Sequence, residues 1–236
     1  MIDARTVRRA VGAAAMGNPV EWFDYGVYSF VAVIIARQFF PGGEDGSGLL
    51  ATFAIFAVAY LVRPLGGLVL GPLVDRIGRR RVLALTIVMM SAATFAIGLL
   101  PTYAQVGVLA PILLLTARLV QGFATGGEYG GAAAFIAEYA PDRRRGFYCS
   151  FLETGTLGGF VLAAGLVTTL QLTLPPQDME SWGWRVPFLV AGPLGLIGLR
   201  LRSKLEDTPA FRMLQQEQDV PDAPMRELLT RVGARS

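Results

Sequence analysis

Gly71-Pro72-Leu73-Val74-Asp75-Arg76-Ile77-Gly78-Arg79-Arg80-Arg81 lies between two long apolar runs and decides the fold. An aspartate and four arginines on a glycine-punctuated turn cannot sit in hydrocarbon, where each charge costs several kcal/mol. The runs on either side are therefore separate membrane crossings that meet at one face. A second turn of the same kind, Pro141-Asp142-Arg143-Arg144-Arg145-Gly146, stands between two later apolar runs.

The composition agrees with this reading. The chain is 53% hydrophobic and 17% charged, whereas soluble domains carry roughly 25% charged residues. The 28 glycines and 14 prolines suit transmembrane helices, which tolerate both. A formal charge of +3 does not indicate a nucleic-acid partner, because the arginines cluster at the ends of apolar runs rather than along one face. Cys149 is the single cysteine and there is no histidine, so no intrachain disulfide forms and neither a zinc nor a haem site is expected. No cofactor motif is present, and the glycines of residues 122–131 lack the preceding strand and following lysine of a phosphate cradle. No nucleophile with an oriented base is present either, so an enzyme is not expected. The first apolar run shows no small-residue cleavage site, so no cleavable signal peptide is expected.

In chain order, residues 1–16 carry Arg5, Arg8 and Arg9 and read as a cytoplasmic lead-in. Six crossings follow within a transmembrane domain at 17–204: about Gly17 to Phe40, Leu49 to Val74, Val82 to Leu100, Val108 to Tyr139, Phe147 to Leu172, and Trp184 to Leu201. Residues 205–236 form a polar cytoplasmic tail. Basic clusters at 5–9, 76–81, 143–145 and 200–204 alternate with opposite loops that hold Glu44, Asp45, Asp178 and Glu180 but no Lys or Arg; Arg37 and Arg185 stand near helix ends. Positive-inside topology then puts both termini in the cytoplasm. A β-barrel is excluded, since its strands are about ten residues of alternating polarity. The fold class is all-α, a six-helix polytopic bundle in a lipid bilayer.

Ionisable groups inside the spans need a partner, a wet cavity or a function. Glu21 and Asp24 are spaced i,i+3 and form one polar stripe with Tyr25 and Tyr28. Two readings fit: interfacial residues at a helix start, or the lining of a cavity with a proton or cation site. Arg63 lies at a similar depth, so a charge-paired triad of Glu21, Asp24 and Arg63 is expected, as a structural lock or a coupling element. On the fourth crossing Arg118, Gln121, Thr125 and Glu128 or Tyr129 recur at three- and four-residue steps and are expected to face a central cavity. Arg118 is either a carboxylate-binding fork or a snorkelling arginine. Gly122, Gly126, Gly127, Gly130 and Gly131 on the same helix let a neighbouring helix approach closely. Glu153, about two turns into the fifth crossing, reads as a buried acid able to carry a proton, and Glu138 as an interfacial partner of Arg143 to Arg145.

These stretches form a recognisable combination. The 71–81 turn resembles the loop signature of the major facilitator superfamily. Gly17-Asn18-Pro19-Val20-Glu21-Trp22-Phe23-Asp24-Tyr25-Gly26, Arg63-Pro64-Leu65-Gly66-Gly67, the run Gln121 to Gly131, Ala137 to Gly146 and Glu206-Asp207-Thr208-Pro209-Ala210-Phe211 resemble its metabolite:proton symporter branch, with wording nearest to proline/glycine betaine transporters. The resemblance implies twelve crossings in two six-helix halves that rock about a central cavity. It implies a proton-coupling or charge network of Glu21, Asp24, Arg63, Glu128 and Glu153, and substrate contacts from Tyr25, Tyr28, Arg118, Gln121, Thr125 and Tyr129. Gly71, Asp75, Arg76, Gly78, Arg79, Arg80 and Arg81 become a gating motif. Residue 236 falls where a seventh crossing is expected to start, so the chain reads as an N-terminal half, expected from a truncated gene or gene model. Symport of protons with a small zwitterion or carboxylate across the cytoplasmic membrane then needs a second half-transporter or a homodimer. The alternative is a non-transporting six-helix assembly or regulatory partner.

Overall fold

The computed structural model describes residues 17–42, 46–126 and 140–203, together with 133 and 136. The lead-in 1–16, Glu44 and Asp45, the stretch bearing Gly127, Glu128, Tyr129, Gly130, Gly131 and Glu138, and the tail 205–236 lie outside the described residues, as do the side chains of Asp75, Arg79 and Arg80.

The elements are α1 (Gly17–Phe30), α2 (Ala32–Phe39), α3 (Ser47–Ile77), α4 (Arg79–Leu99), α5 (Tyr103–Val106), α6 (Leu109–Gly126), α7 (Arg145–Thr173), α8 (Pro176–Asp178), a π-helical turn (Met179–Gly183) and α9 (Arg185–Ser203). Among the described residues, four helices are long and apolar enough to cross a membrane: Ser47–Val74, Arg81–Leu99, Leu109–Gly126 and Arg145–Thr173. Two bent pairs, Asn18–Phe30 with Ala32–Phe39 at 66° and Pro176–Gly183 with Arg185–Arg200 at 44°, raise this to six if each pair is one span.

The polar turn between α3 and α4 shrinks to the single residue Gly78 (φ 91°). That conformation belongs to glycine, which lacks the Cβ that would clash there. Pro64 and Pro72 lie inside α3 and Pro193 inside α9, as membrane helices allow.

The first crossing, expected from about Gly17 to Phe40, breaks at Val31 into the bent pair α1 and α2. Its hydrogen-bond ladder survives the bend, with Val31 N–H to Val27 O and Ile35 N–H to Val31 O both 3.0 Å. No proline or glycine stands at the break. Val27, Val31, Ile35 and Phe39, on both sides of the bend, lie buried in one core with Trp184 and Phe188. The expected loop carrying Asp178 and Glu180 is helical, and its π-turn closes with Trp184 N–H to Met179 O at 3.1 Å.

Helices pack as three main pairs: α1 on α7, α3 on α6, and α4 on α9. Each seam is glycine-lined. A Cβ on Gly122 would overlap the Ala59 carbonyl and one on Gly126 the Arg63 carbonyl; on α3, Gly66 meets the Phe123 carbonyl in the same way. Gly159 of α7 sits against Pro19 and Phe23, and Gly195 of α9 against Ser91. Lipid supplies no hydrophobic drive between helices, so dispersion across such close seams holds the bundle. The close approach expected at Gly122 and Gly126 is present. The spans are unequally covered: α4 and α6 are the more buried, α3 and α7 the less.

Candidate functional site: two ion pairs on one helix

The glycine seam between α3 and α6 brings two helices against α1, and α1 presents a carboxylate to each. A three-residue step turns a helix by about 300°, so the two acids diverge by about 60°. Glu21 meets α3 and Asp24 meets α6.

Asp24 is 2% exposed. Its Oδ2 accepts from Arg118 Nη1 at 2.6 Å and its Oδ1 from Gln121 Nε2 at 3.0 Å. Gln121 Nε2 also donates to Thr94 Oγ1 at 2.7 Å, tying in α4. The Arg118 guanidinium lies 3.7 Å from the Tyr28 ring centroid, and the Tyr28 hydroxyl donates to Thr52 O at 2.9 Å. Arg118 and Gln121 are buried, so the pair is held in low dielectric, where removing one member strands the other's charge.

Glu21 accepts from Arg63 Nη2 at 2.5 Å, and Arg63 also hydrogen-bonds to the Tyr25 hydroxyl. The guanidinium carbon is 4.1 Å from the Tyr60 ring centroid and 5.0 Å from that of Tyr25. Phe56 packs on Tyr25, Tyr28 and Tyr60, and Trp22 meets Tyr25 edge-on at 5.7 Å. Thr125 of α6 is buried; its hydroxyl donates to Gly122 O at 3.1 Å and interacts with Tyr25.

The expected triad is therefore corrected: Arg63 takes Glu21, and Asp24 takes Arg118. Depth along the span was legible in the sequence, whereas azimuth about α1 was not. The polar face of the fourth crossing, Arg118, Gln121 and Thr125, points into the bundle rather than into an open cavity, because its partners Asp24 and Thr94 lie inside the same six helices. Glu153 is on an exposed face of α7 rather than buried. Of the 71–81 turn, Gly71, Arg76 and Arg81 are exposed and Gly78 is buried.

Several polar contacts had no distinct sequence signal. Asn18 Nδ2 donates to Thr156 Oγ1 at 2.7 Å and to Leu152 O, fastening α1 to α7. Arg37 pairs with Glu180, and Gln38 Nε2 donates to Glu180 O at 2.9 Å. Arg185 Nη1 donates to Gly98 O and Leu100 O at 2.9 and 2.7 Å, satisfying carbonyls at the α4 C-terminus. Arg37 and Arg185, which stand near helix ends outside the basic clusters, thus have structural partners.

A helical bundle of membrane-spanning length with charges paired inside it defines an integral membrane protein, and the sequence identifies its kind. The chain belongs to the sugar (and other) transporter family, whose pattern it matches over residues 10–228. It is 53% identical to the glycine betaine/proline/ectoine/pipecolic acid transporter OusA of Dickeya dadantii, across 90% of this chain and 42% of the relative. It is 49% identical to the proline/betaine transporter of Salmonella typhimurium, across 98% of this chain and 48% of the relative. The fold superposes on the major facilitator superfamily proton:xylose symporter XylE with a TM-score of 0.82 at 18% identity, covering 92% of this chain and 48% of that one. The chain spans about half the length of the curated relatives it matches.

Proposed function

We propose that this chain forms the N-terminal half of a proton-coupled symporter for a small zwitterion of the proline or betaine type. It lies in the cytoplasmic membrane as a six-crossing domain at 17–204, with both termini inside. The observation that carries this reading is the buried Asp24–Arg118 pair. A carboxylate held by a guanidinium and a Gln121 amide sits where a proton can change the charge balance among α1, α4 and α6. Protonation of Asp24 releases Arg118 and loosens the contact between α1 and α6; loss of the proton restores it. Coupling follows because the conformation that admits substrate is the one in which Asp24 is protonated. Glu21 and Arg63 act as a second charge element, Tyr25 and Tyr28 lie against the two guanidiniums, Gln121 and Thr125 tie α6 into the same network, and the 71–81 turn gates the cytoplasmic side. Glu128 and Tyr129 belong to the same proposal on sequence grounds.

Alternating access needs two halves rocking about a site. The second set of crossings comes from a second polypeptide, a second copy, or the remainder of a longer chain. The test is uptake of labelled proline or glycine betaine into membrane vesicles under an acid-outside gradient. The chain is expressed alone and with the C-terminal half of the Dickeya relative. Gradient-driven accumulation is expected in one of these arrangements, and Asp24→Asn is expected to abolish accumulation while leaving substrate exchange. Absence of uptake in both arrangements sinks the reading.

A further inference from the structure

We propose that the Glu21–Arg63 ion pair and the tyrosine rings beside it form a binding site for a small zwitterion. The ligand's onium group takes the place of the Arg63 guanidinium against Glu21, Tyr25 and Tyr60, and its carboxylate pairs with the displaced Arg63. The proposal rests on the transport reading and states where in this chain the substrate is held.

Geometry is the first support. The Tyr25 and Tyr60 rings stack at 5.4 Å with 27° between planes, and both lie within cation–π range of the Arg63 guanidinium, at 5.0 and 4.1 Å. The rings already hold a cation, and aromatic faces bind onium groups by the same quadrupole attraction. The Glu21 carboxylate supplies the counter-charge at 2.5 Å from Arg63.

Access distinguishes this pair from its neighbour. Tyr60 is 36% exposed and the Arg63 side chain 25%, whereas the Arg118 and Asp24 side chains are 1% and 3% exposed. A ligand arriving at the edge of α3 meets Tyr60 and Arg63 first. Arg63 is also built to move while its backbone stays: its carbonyl is packed against Gly126 and Pro64 follows it, so only the long side chain swings. Its Nε has no hydrogen-bond partner among the described residues, leaving a donor for a second carboxylate.

Charge balance selects the ligand class. A simple cation entering the pair strands Arg63, and a simple anion strands Glu21; a stranded charge in a low-dielectric site is strongly unfavourable. A zwitterion brings both signs and converts one ion pair into two with no net charge added.

The experiment uses the purified chain in detergent, with glycine betaine as probe and calorimetric titration as readout. Tetramethylammonium and acetate, which carry the onium and the carboxylate alone, are expected to bind at least about tenfold more weakly than glycine betaine. Tyr60→Ala and Glu21→Gln are expected to weaken glycine betaine about tenfold, and Tyr60→Phe, which keeps the ring face, to change it little. If Glu21→Gln does not fold, Tyr60→Ala at an exposed ring carries the same test. No binding by the wild-type chain, equal binding of tetramethylammonium, or unchanged affinity in Tyr60→Ala overturns the site. Uptake that persists undiminished in Tyr60→Ala overturns the site and leaves the transport reading standing. Betaine binding that depends on Tyr60 and Glu21 in a chain never accumulating betaine in either vesicle arrangement upholds the site and sinks transport.

Discussion

Two acid–arginine pairs stand three residues apart on α1 and use the same chemistry, yet they occupy different environments. Asp24–Arg118 is enclosed by α1, α4 and α6, with side chains 3% and 1% exposed, and an amide and a ring lie against it. Glu21–Arg63 stands at the edge of α3, where the acid is buried but the arginine is 25% exposed and lies on two tyrosines. Burial makes the first pair expensive to open, whereas partial exposure leaves the second within reach of water. The same contrast runs through the whole bundle, since α4 and α6 are covered while α3 and α7 leave most of their surface open.

The sharpest way to break this comparison is to remove one member of each pair. Arg118→Leu leaves Asp24 buried without its counter-charge and is expected to cost about 3–5 kcal/mol, read as a large drop in the unfolding midpoint in detergent. The Asp24→Leu/Arg118→Leu double variant is expected to recover much of that loss. Equal destabilisation by the single and double variants refutes the enclosed pair. Arg63→Ala is expected to cost less, about 1–2 kcal/mol, because the vacated edge of α3 admits water to Glu21. A melting point as low as that of Arg118→Leu would erase the distinction between the pairs. The smallest effect belongs to Arg37→Ala, whose ion pair with Glu180 is exposed on both sides. Exposed pairs contribute about 0–1 kcal/mol, so its melting curve should shift little and should become insensitive to added salt.

Much of this was legible in the residues and some was not. The 71–81 turn marked the junction of two crossings, and the structure closes it on Gly78. Gly122 and Gly126 announced a tight seam, and Ala59 and Arg63 of α3 occupy it. The acids and arginines inside the spans were each visible as costly residues requiring partners. Their pairing was not visible, because hydropathy and spacing give depth in the membrane and helix face, while the partner depends on which neighbour lies on that face. Thr94 illustrates the gap. It reads as an ordinary helix threonine that bonds back to Met90 O at 2.9 Å, and only the approach of α6 makes it an acceptor for Gln121.

The sequence by itself determined that the chain is a bundle of membrane-spanning helices, where its basic turns fall and which family it belongs to, because those follow from local apolarity, charge and motif. The tertiary structure alone decided the break at Val31, the assignment of Asp24 to Arg118 and Glu21 to Arg63, and the enclosure of one pair beside the exposure of the other. Each of these depends on the rotation and approach of helices distant in sequence, and the close glycine seam between α3 and α6 fixes that approach where Arg63 and Arg118 meet α1.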